Sequence, residues 1–130
     1  MKLGRPAQVL LVEDSPFLRY AARAVLQRRG YDVLEAADGQ EALDLLARTR
    51  PDVILLDLVM PRVSGEEVLR ALKNNPELAR VPVVMLSPEP DSETGTALAG
   101  QVEGWFDKAR MSLVHLADRV EAVLNDRRVA

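Results

Sequence analysis

The chain has no cysteine and only one histidine, His115, among its 130 residues. The absence of cysteine excludes disulfide bonds, thiolate metal sites and cysteine nucleophiles. A single histidine cannot build a multi-histidine metal site. Candidate sites must therefore be sought among the other polar side chains.

Long apolar runs and an excess of basic residues are also missing. No apolar run approaches the roughly 18 residues of a membrane span, and the N-terminal segment lacks the apolar region of a signal peptide. A net charge of -3 argues against a nucleic-acid-binding surface, which needs a concentrated basic patch. The length suits one domain, and a hydrophobic fraction of 48% is enough for a core. We expect a soluble cytoplasmic domain with no nucleic-acid or membrane partner.

Short apolar runs rich in β-branched residues alternate with segments of helical periodicity. The runs, which predict buried parallel strands, are Gln8–Glu13, Tyr31–Glu35, Val53–Asp57, Val81–Ser87 and Val102–Asp107. This alternation predicts a doubly wound α/β fold with a parallel sheet. In such a sheet the ligand site lies beyond the carboxyl ends of the strands, where the strand order switches direction.

Start signals precede three of the predicted helices. They are Ser15 with Pro16, Asp38 with Glu41, and Ser64 with Glu67, the last two pairs reading as capping boxes. The segment Asp91–Gly100 holds two glycines and two threonines, which are weak helix formers, so we expect a short or mobile fourth helix there. An apolar stripe from Leu113 to Leu124 predicts the fifth and last helix.

Residues that can carry chemistry stand at the ends of the predicted strands. Glu13 and Asp14 end the first strand, Asp57 ends the third, Ser87 ends the fourth, and Lys108 follows the fifth. Crowded carboxylates repel one another unless a hard divalent cation such as Mg²⁺ sits among them. A carboxylate can then form an aspartyl phosphate, because the metal and an ammonium group neutralise the phosphoryl oxygens.

Four stretches resemble, in order, the motifs of response regulator receiver domains, and the resemblance covers nearly the whole chain. They are VLLVEDSPFLR, PDVILLDLVMPRVSGEEVLRALK, VPVVMLS and WFDK. The resemblance is to chemotaxis-type, single-domain receivers of two-component signalling. It implies a flavodoxin-like sheet of five parallel strands in the order 2-1-3-4-5, with helices on both faces. We expect residues 1–130 to form one receiver domain without an effector domain.

The same resemblance implies a metal-assisted phosphoacceptor. Asp57 would take the phosphoryl group and, with Asp14, bind Mg²⁺ (or Mn²⁺) directly. Glu13 would hold the metal through water, and the backbone carbonyl of Val59 would be a further ligand.

The remaining implied roles concern the phosphoryl group and the response to it. Lys108 would contact the phosphoryl group, and Ser87 and Trp105 would act as the switch hydroxyl and switch aromatic. The donor would be a histidine kinase or a phosphotransfer protein. An unknown downstream protein would bind the face formed by helix 4, strand 5 and helix 5. At most, the domain would dephosphorylate itself slowly, as a monomer or weak dimer.

Two positions depart from the family pattern. Ala109 stands where a proline usually follows the lysine in a cis bond; a cis bond before a non-proline residue costs about 2.5–4 kcal/mol, so we predict a trans Lys108–Ala109 peptide. Pro88 follows Ser87 and has no N–H to offer the phosphoryl group. A lost charge-assisted hydrogen bond of about 1.5–3 kcal/mol would weaken the phosphorylated state.

Other functions stay open on the sequence alone. A pseudo-receiver used only for protein contacts would tolerate Pro88 and Ala109. An aspartyl-phosphate phosphatase needs an acid/base aspartate where Val59 stands. A flavodoxin-like flavin binder needs a phosphate loop after the first strand, where Glu13 and Asp14 would repel the phosphate. Trp105 is also compatible with a plain core position.

Overall fold

The computed structural model describes residues 5–88 and 100–129, with side chains up to residue 126. The strands are β1 (Gln8–Val12), β2 (Asp32–Ala36), β3 (Val53–Leu56), β4 (Val83–Met85) and β5 (Gly104–Trp105). The helices are α1 (Pro16–Arg28), α2 (Gly39–Leu46), α3 (Gly65–Lys73) and α4 (Leu113–Val129). The helix labelled α4 is the one that the sequence predicts as the fifth. The predicted helix over Asp91–Gly100 falls, except for Gly100, outside the described residues. None of the helices described is long and apolar enough to cross a membrane.

The five strands form one parallel sheet in the order β2-β1-β3-β4-β5, which confirms the predicted topology. The chain moves outward from β1 to β2, then crosses back to place β3 on the other side of β1. The strand order therefore changes direction between β1 and β3. A crevice is expected beyond the carboxyl ends of these two strands, next to Glu13 and Asp57.

Helices cover both faces of the sheet, as predicted. Neighbouring residues on a strand point to opposite faces, and apolar residues on both faces need to be buried. Leu10 and Ile54 pack with buried residues of α2 and α3. Leu11 and Leu55 pack on the other face with buried residues of α1 and α4. The central strands β1 and β3 are buried on both sides, so their carboxyl ends are held rigidly.

The strands β4 and β5 are shorter than the predicted runs Val81–Ser87 and Val102–Asp107. Pro82 has no N–H for a sheet hydrogen bond, so β4 begins only after it. Backbone pairing nevertheless continues past both ends of β5, where Glu103 and Phe106 donate to carbonyls of β4 at 2.8 Å.

Side-chain caps begin the helices where the sequence places them. The Ser15 side chain accepts from the backbone of α1, and Ser64 and Glu67 form a reciprocal capping box at α3. At α2 the predicted capping box is only half formed. Asp38 accepts from Glu41 N at 2.9 Å, but the Glu41 side chain accepts from Ala37 N and not from Asp38 N.

Gly65 lets the start of α3 approach the end of β3. A Cβ added at Gly65 would lie 2.1 Å from the carbonyl oxygen of Asp57, which is far inside van der Waals contact. We expect Gly65→Ala to lower the free energy of unfolding by about 1–3 kcal/mol or more, because the backbone must shift. Urea unfolding measures this.

Gly100→Ala is the matched control, since a Cβ there meets no atom of the described residues within 4 Å. Its stability should change by no more than about 0.5 kcal/mol. Equal effects of the two substitutions would contradict the close-approach explanation.

Candidate functional site

Three carboxylates meet at the carboxyl ends of β1 and β3. Glu13, Asp14 and Asp57 each offer an oxygen atom, and these atoms lie within 4.8 Å of one another. Glu13 and Asp57 are buried, whereas Asp14 is exposed. The structure thus brings together the three acidic residues that the sequence placed at these strand ends.

Lys108 reaches the same crevice from the segment after β5. Its Nζ donates to Glu13 Oε1 at 2.8 Å and to Asp57 Oδ2 at 3.1 Å. One ammonium group therefore faces three carboxylates, and the crevice keeps an excess of negative charge when all three are ionised. Such an excess attracts a cation.

The pKa values of Asp57 and Lys108 are both raised, but for different reasons. The pKa of Asp57 is raised to about 6, mainly by burial; the hydrogen bond from Lys108 acts to lower it, and the Glu13 carboxylate acts to raise it. Burial alone would lower the pKa of Lys108, but hydrogen bonds to Glu13 and Asp57 outweigh this effect and raise it. Lys108 therefore stays positively charged at neutral pH.

Glu13 and Asp14 differ in whether their carboxylate oxygens already accept hydrogen bonds from the protein. Glu13 Oε1 accepts from Lys108, and Glu13 Oε2 accepts from the backbone N–H of Ser15 at 2.9 Å. Both oxygens of Glu13 thus have protein partners, while the Asp14 side chain faces solvent. Asp14 is the carboxylate most open to an incoming metal ion.

The loop from Leu58 to Ser64 starts beside the Asp57 carboxylate. Val59 N donates to Asp57 Oδ1 at 3.4 Å, so the Val59 main chain lies beside the carboxylate. Arg62 has a φ of 65°, a left-handed conformation that is uncommon outside glycine, and it forms an ion pair with Asp38. The use of the Val59 carbonyl as a metal ligand stays a prediction.

Ser87 lies just beyond the end of β4. Its Oγ is buried and has no hydrogen-bond partner among the described residues. An unsatisfied buried hydroxyl costs stability, about 1–3 kcal/mol, and is rare in native proteins. Ser87 thus has an unused donor and acceptor at the end of β4, next to the strand end that carries Asp57.

Trp105 and Phe106 point to opposite faces of the sheet, as predicted from their adjacent positions. Trp105 is half-buried against the core shared with α2 and α3. Phe106 is fully buried in the core shared with α1 and α4. No cis peptide bond occurs in the described ranges 5–88 and 100–129, so the predicted trans Lys108–Ala109 bond is confirmed.

The family model described as "Response regulator receiver domain" matches residues 9–121. The chain belongs to this family. The receiver domain is 35% identical to protein PilG of Pseudomonas aeruginosa, over 82% of this chain and 70% of that protein. It is 36% identical to response regulator MprA of Mycolicibacterium vanbaalenii, over 92% of this chain and 51% of that protein. The chain thus spans about half the length of MprA.

Solved structures agree with this assignment. The chemotaxis protein CheY4 of Vibrio cholerae is 32% identical, with a TM-score of 0.79 over 91% of this receiver domain and 98% of that chain. Receiver domains belong to two-component signal transduction, and phosphorylation of an aspartate and binding of Mg²⁺ are general in the family. They are signalling modules that interact with kinases and downstream proteins.

Sequence reasoning missed some contacts that shape this receiver domain. The Arg19 guanidinium donates to the Glu13 carbonyl oxygen at 2.8 Å, and the Glu13 side chain accepts from Ser15 N. Unlike the predicted caps at Ser15 and Ser64, neither contact belongs to a helix-capping motif, so the sequence does not indicate it. The left-handed conformation of Arg62 was likewise not predicted, since arginine is not typical of such positions.

Asp57→Asn should stabilise the metal-free receiver domain at pH 7.5. The pKa of Asp57 in the fold, about 6, lies above its usual value, so the folded state favours the protonated form. Its contribution is therefore most favourable below the unfolded pKa and is lost as pH rises through about 6. Removing the ionised group should raise the free energy of unfolding by about 1–3 kcal/mol, measured by urea unfolding in EDTA.

Asp32→Asn is the control, because Asp32 is an exposed carboxylate at the start of β2, away from the crevice. It should change stability by no more than about 0.5 kcal/mol. A destabilised Asp57→Asn protein would show that the contact with Lys108 outweighs the crowding of the carboxylates.

Proposed function

We propose that this receiver domain accepts a phosphoryl group on Asp57 with the help of bound Mg²⁺ (or Mn²⁺). The observation that carries the proposal is the environment of Asp57. Its carboxylate is buried, lies next to two other carboxylates and accepts a hydrogen bond from the Lys108 ammonium. Family membership supports the same chemistry.

The residues present fit a hard divalent cation. All candidate ligands are oxygen atoms, and among the described residues the three crowded carboxylates are balanced by the ammonium group of Lys108, which contacts two of them. Asp14 and Asp57 would bind the ion directly, the Val59 carbonyl would add a ligand, and Glu13 would act through water. Glu13 suits the indirect role because both of its oxygens already have protein partners. The metal would neutralise charge on the transferred phosphoryl oxygens.

The protein groups around Asp57 perform the remaining tasks. An Asp57 carboxylate oxygen attacks the phosphorus atom, and the bond from phosphorus to the donor breaks. Lys108 already donates to Asp57 Oδ2 at 3.1 Å, so its charge lies where negative charge collects during transfer. Burial of Asp57 limits the access of water, which slows hydrolysis of the acyl phosphate.

The donor is proposed to be a histidine kinase or a phosphotransfer protein. Phe17 and Tyr20 lie three residues apart on α1 and are 79% and 64% exposed. Residues at this spacing share one face of a helix, and α1 begins at the crevice beside Glu13. Two exposed aromatic rings at this place support contact with a protein donor.

A protein-interaction module without phosphorylation is the second candidate. It is favoured by Pro88, which removes a backbone N–H next to the switch hydroxyl. An aspartyl-phosphate phosphatase is disfavoured, because Val59 stands where such enzymes need their acid/base aspartate. The two remaining functions differ in whether Asp57 is ever modified.

Intact mass measured after incubation with acetyl phosphate and Mg²⁺ separates them. The wild-type protein should gain the mass of one phosphoryl group, and EDTA should prevent this gain. Asp57→Asn should gain none. Equal labelling of the Asp57→Asn protein would refute the choice of Asp57, and an unlabelled wild type that still binds Mg²⁺ would favour the protein-interaction module.

The response to phosphorylation is proposed to begin at Ser87. Its buried Oγ, which has no partner in the described part of the chain, would donate a hydrogen bond to a phosphoryl oxygen. Ser87 follows β4, and Met85 of β4 pairs with Trp105 of β5. A shift of the Ser87 segment would therefore reach Trp105 and the side of the domain where β5 and α4 lie. We propose that a downstream protein binds there.

The fluorescence of Trp105 tests this route, and Trp105 is the only tryptophan in the chain. Beryllofluoride with Mg²⁺, as a mimic of the aspartyl phosphate, should change the emission, because an inward shift of the half-buried Trp105 would bury more of its indole ring. Ser87→Ala should bind the mimic but show a smaller change. If wild-type emission stays constant while binding is demonstrated independently, Trp105 is a fixed core residue.

A further inference from the structure

The segment that joins β1 to α1 carries two of the three crevice carboxylates. The carbonyl oxygen of the Glu13–Asp14 peptide accepts a hydrogen bond from one side chain, that of Arg19, whose Nη1 lies 2.8 Å away. A peptide group is planar, so a bond that fixes this carbonyl also fixes the N–H side of Asp14. The direction in which the exposed Asp14 carboxylate leaves the main chain thus depends on this contact.

The Arg19 guanidinium is itself held in place. Arg19 Nε lies 3.4 Å from Glu35 Oε1, and the second oxygen of Glu35 accepts from Arg23 at 2.6 Å. Glu35 belongs to β2, so this network ties α1 to the sheet next to the crevice. The Arg19 side chain is 20% exposed, so much of its contact is shielded from water.

We propose that Arg19 is a positioning residue for the metal site, acting on Asp14 through the Glu13–Asp14 peptide. This inference rests on the proposed function for its metal but not for phosphorylation. An arginine suits the task because its planar fork can donate to a carboxylate and a carbonyl oxygen at once. A lysine has only one nitrogen with which to reach both groups.

The sign of the effect separates positioning from simple charge. Removing a positive charge close to a cation site should strengthen Mg²⁺ binding, because repulsion of the ion is relieved. Loss of the carbonyl contact should weaken it, because Asp14 is no longer held in the orientation that binds. The positioning role therefore predicts a change opposite to the electrostatic one.

Arg19→Gln is compared with Arg23→Gln by calorimetric titration of the folded proteins with Mg²⁺. Both substitutions remove one charge from α1 and one partner of Glu35, but only Arg19 contacts the Glu13 carbonyl. Arg19→Gln should weaken Mg²⁺ binding about tenfold. Arg23→Gln should leave it unchanged or slightly stronger. Arg19→Lys should fall between Arg19→Gln and wild type, and it serves as the test variant if Arg19→Gln does not fold.

The rate of labelling by acetyl phosphate gives a second readout. In Arg19→Gln the rate should be reduced at low Mg²⁺ and should return to the wild-type rate at saturating Mg²⁺. Equal or tighter Mg²⁺ binding by Arg19→Gln and Arg19→Lys would overturn the positioning role and leave the phosphoacceptor intact. Absence of labelling in a wild type that binds Mg²⁺ would overturn only the phosphoacceptor. Failure of the wild type to bind Mg²⁺ would overturn both.

Discussion

The contact between Lys108 and the buried acids at the ends of β1 and β3 is the interaction on which the site depends. Three carboxylates cannot lie this close without compensation, and burial makes their mutual repulsion stronger. Lys108 supplies part of the compensation through two hydrogen bonds. It can do so only because the parallel sheet brings the end of β5 to the same edge as β1 and β3.

The fold supports this arrangement from both sides. Residues of β1 and β3 alternate between two hydrophobic cores, so neither strand can move without disturbing packing on one of its faces. Gly65 adds a constraint from α3, whose first residue approaches the Asp57 main chain so closely that no side chain fits. Asp57 is therefore fixed by its strand, by the following loop and by Lys108.

Much of this organisation could be predicted from sequence, and the limits have physical causes. Strand ends are marked by apolar runs that stop at Glu13 and Asp57, so the meeting of the acids followed from topology alone. The short edge strand β5 was overestimated, because an apolar run does not show how many residues pair with a neighbour. Helix caps leave a sequence pattern, but a contact such as that of Arg19 with Glu13 O belongs to no such motif and could not be predicted.

The paired bonding of Lys108 has a consequence for its mobility. A long, flexible side chain loses conformational entropy when it is immobilised, on the order of 1–2 kcal/mol. In the proposed transfer, the bond from Lys108 to Glu13 would not have to break when the Asp57 oxygen changes partner, because the two acceptors are separate atoms. The ammonium would then turn from Asp57 toward the proposed phosphoryl group while Glu13 still holds it. Glu13 would thus keep the Lys108 ammonium oriented in advance for the incoming group.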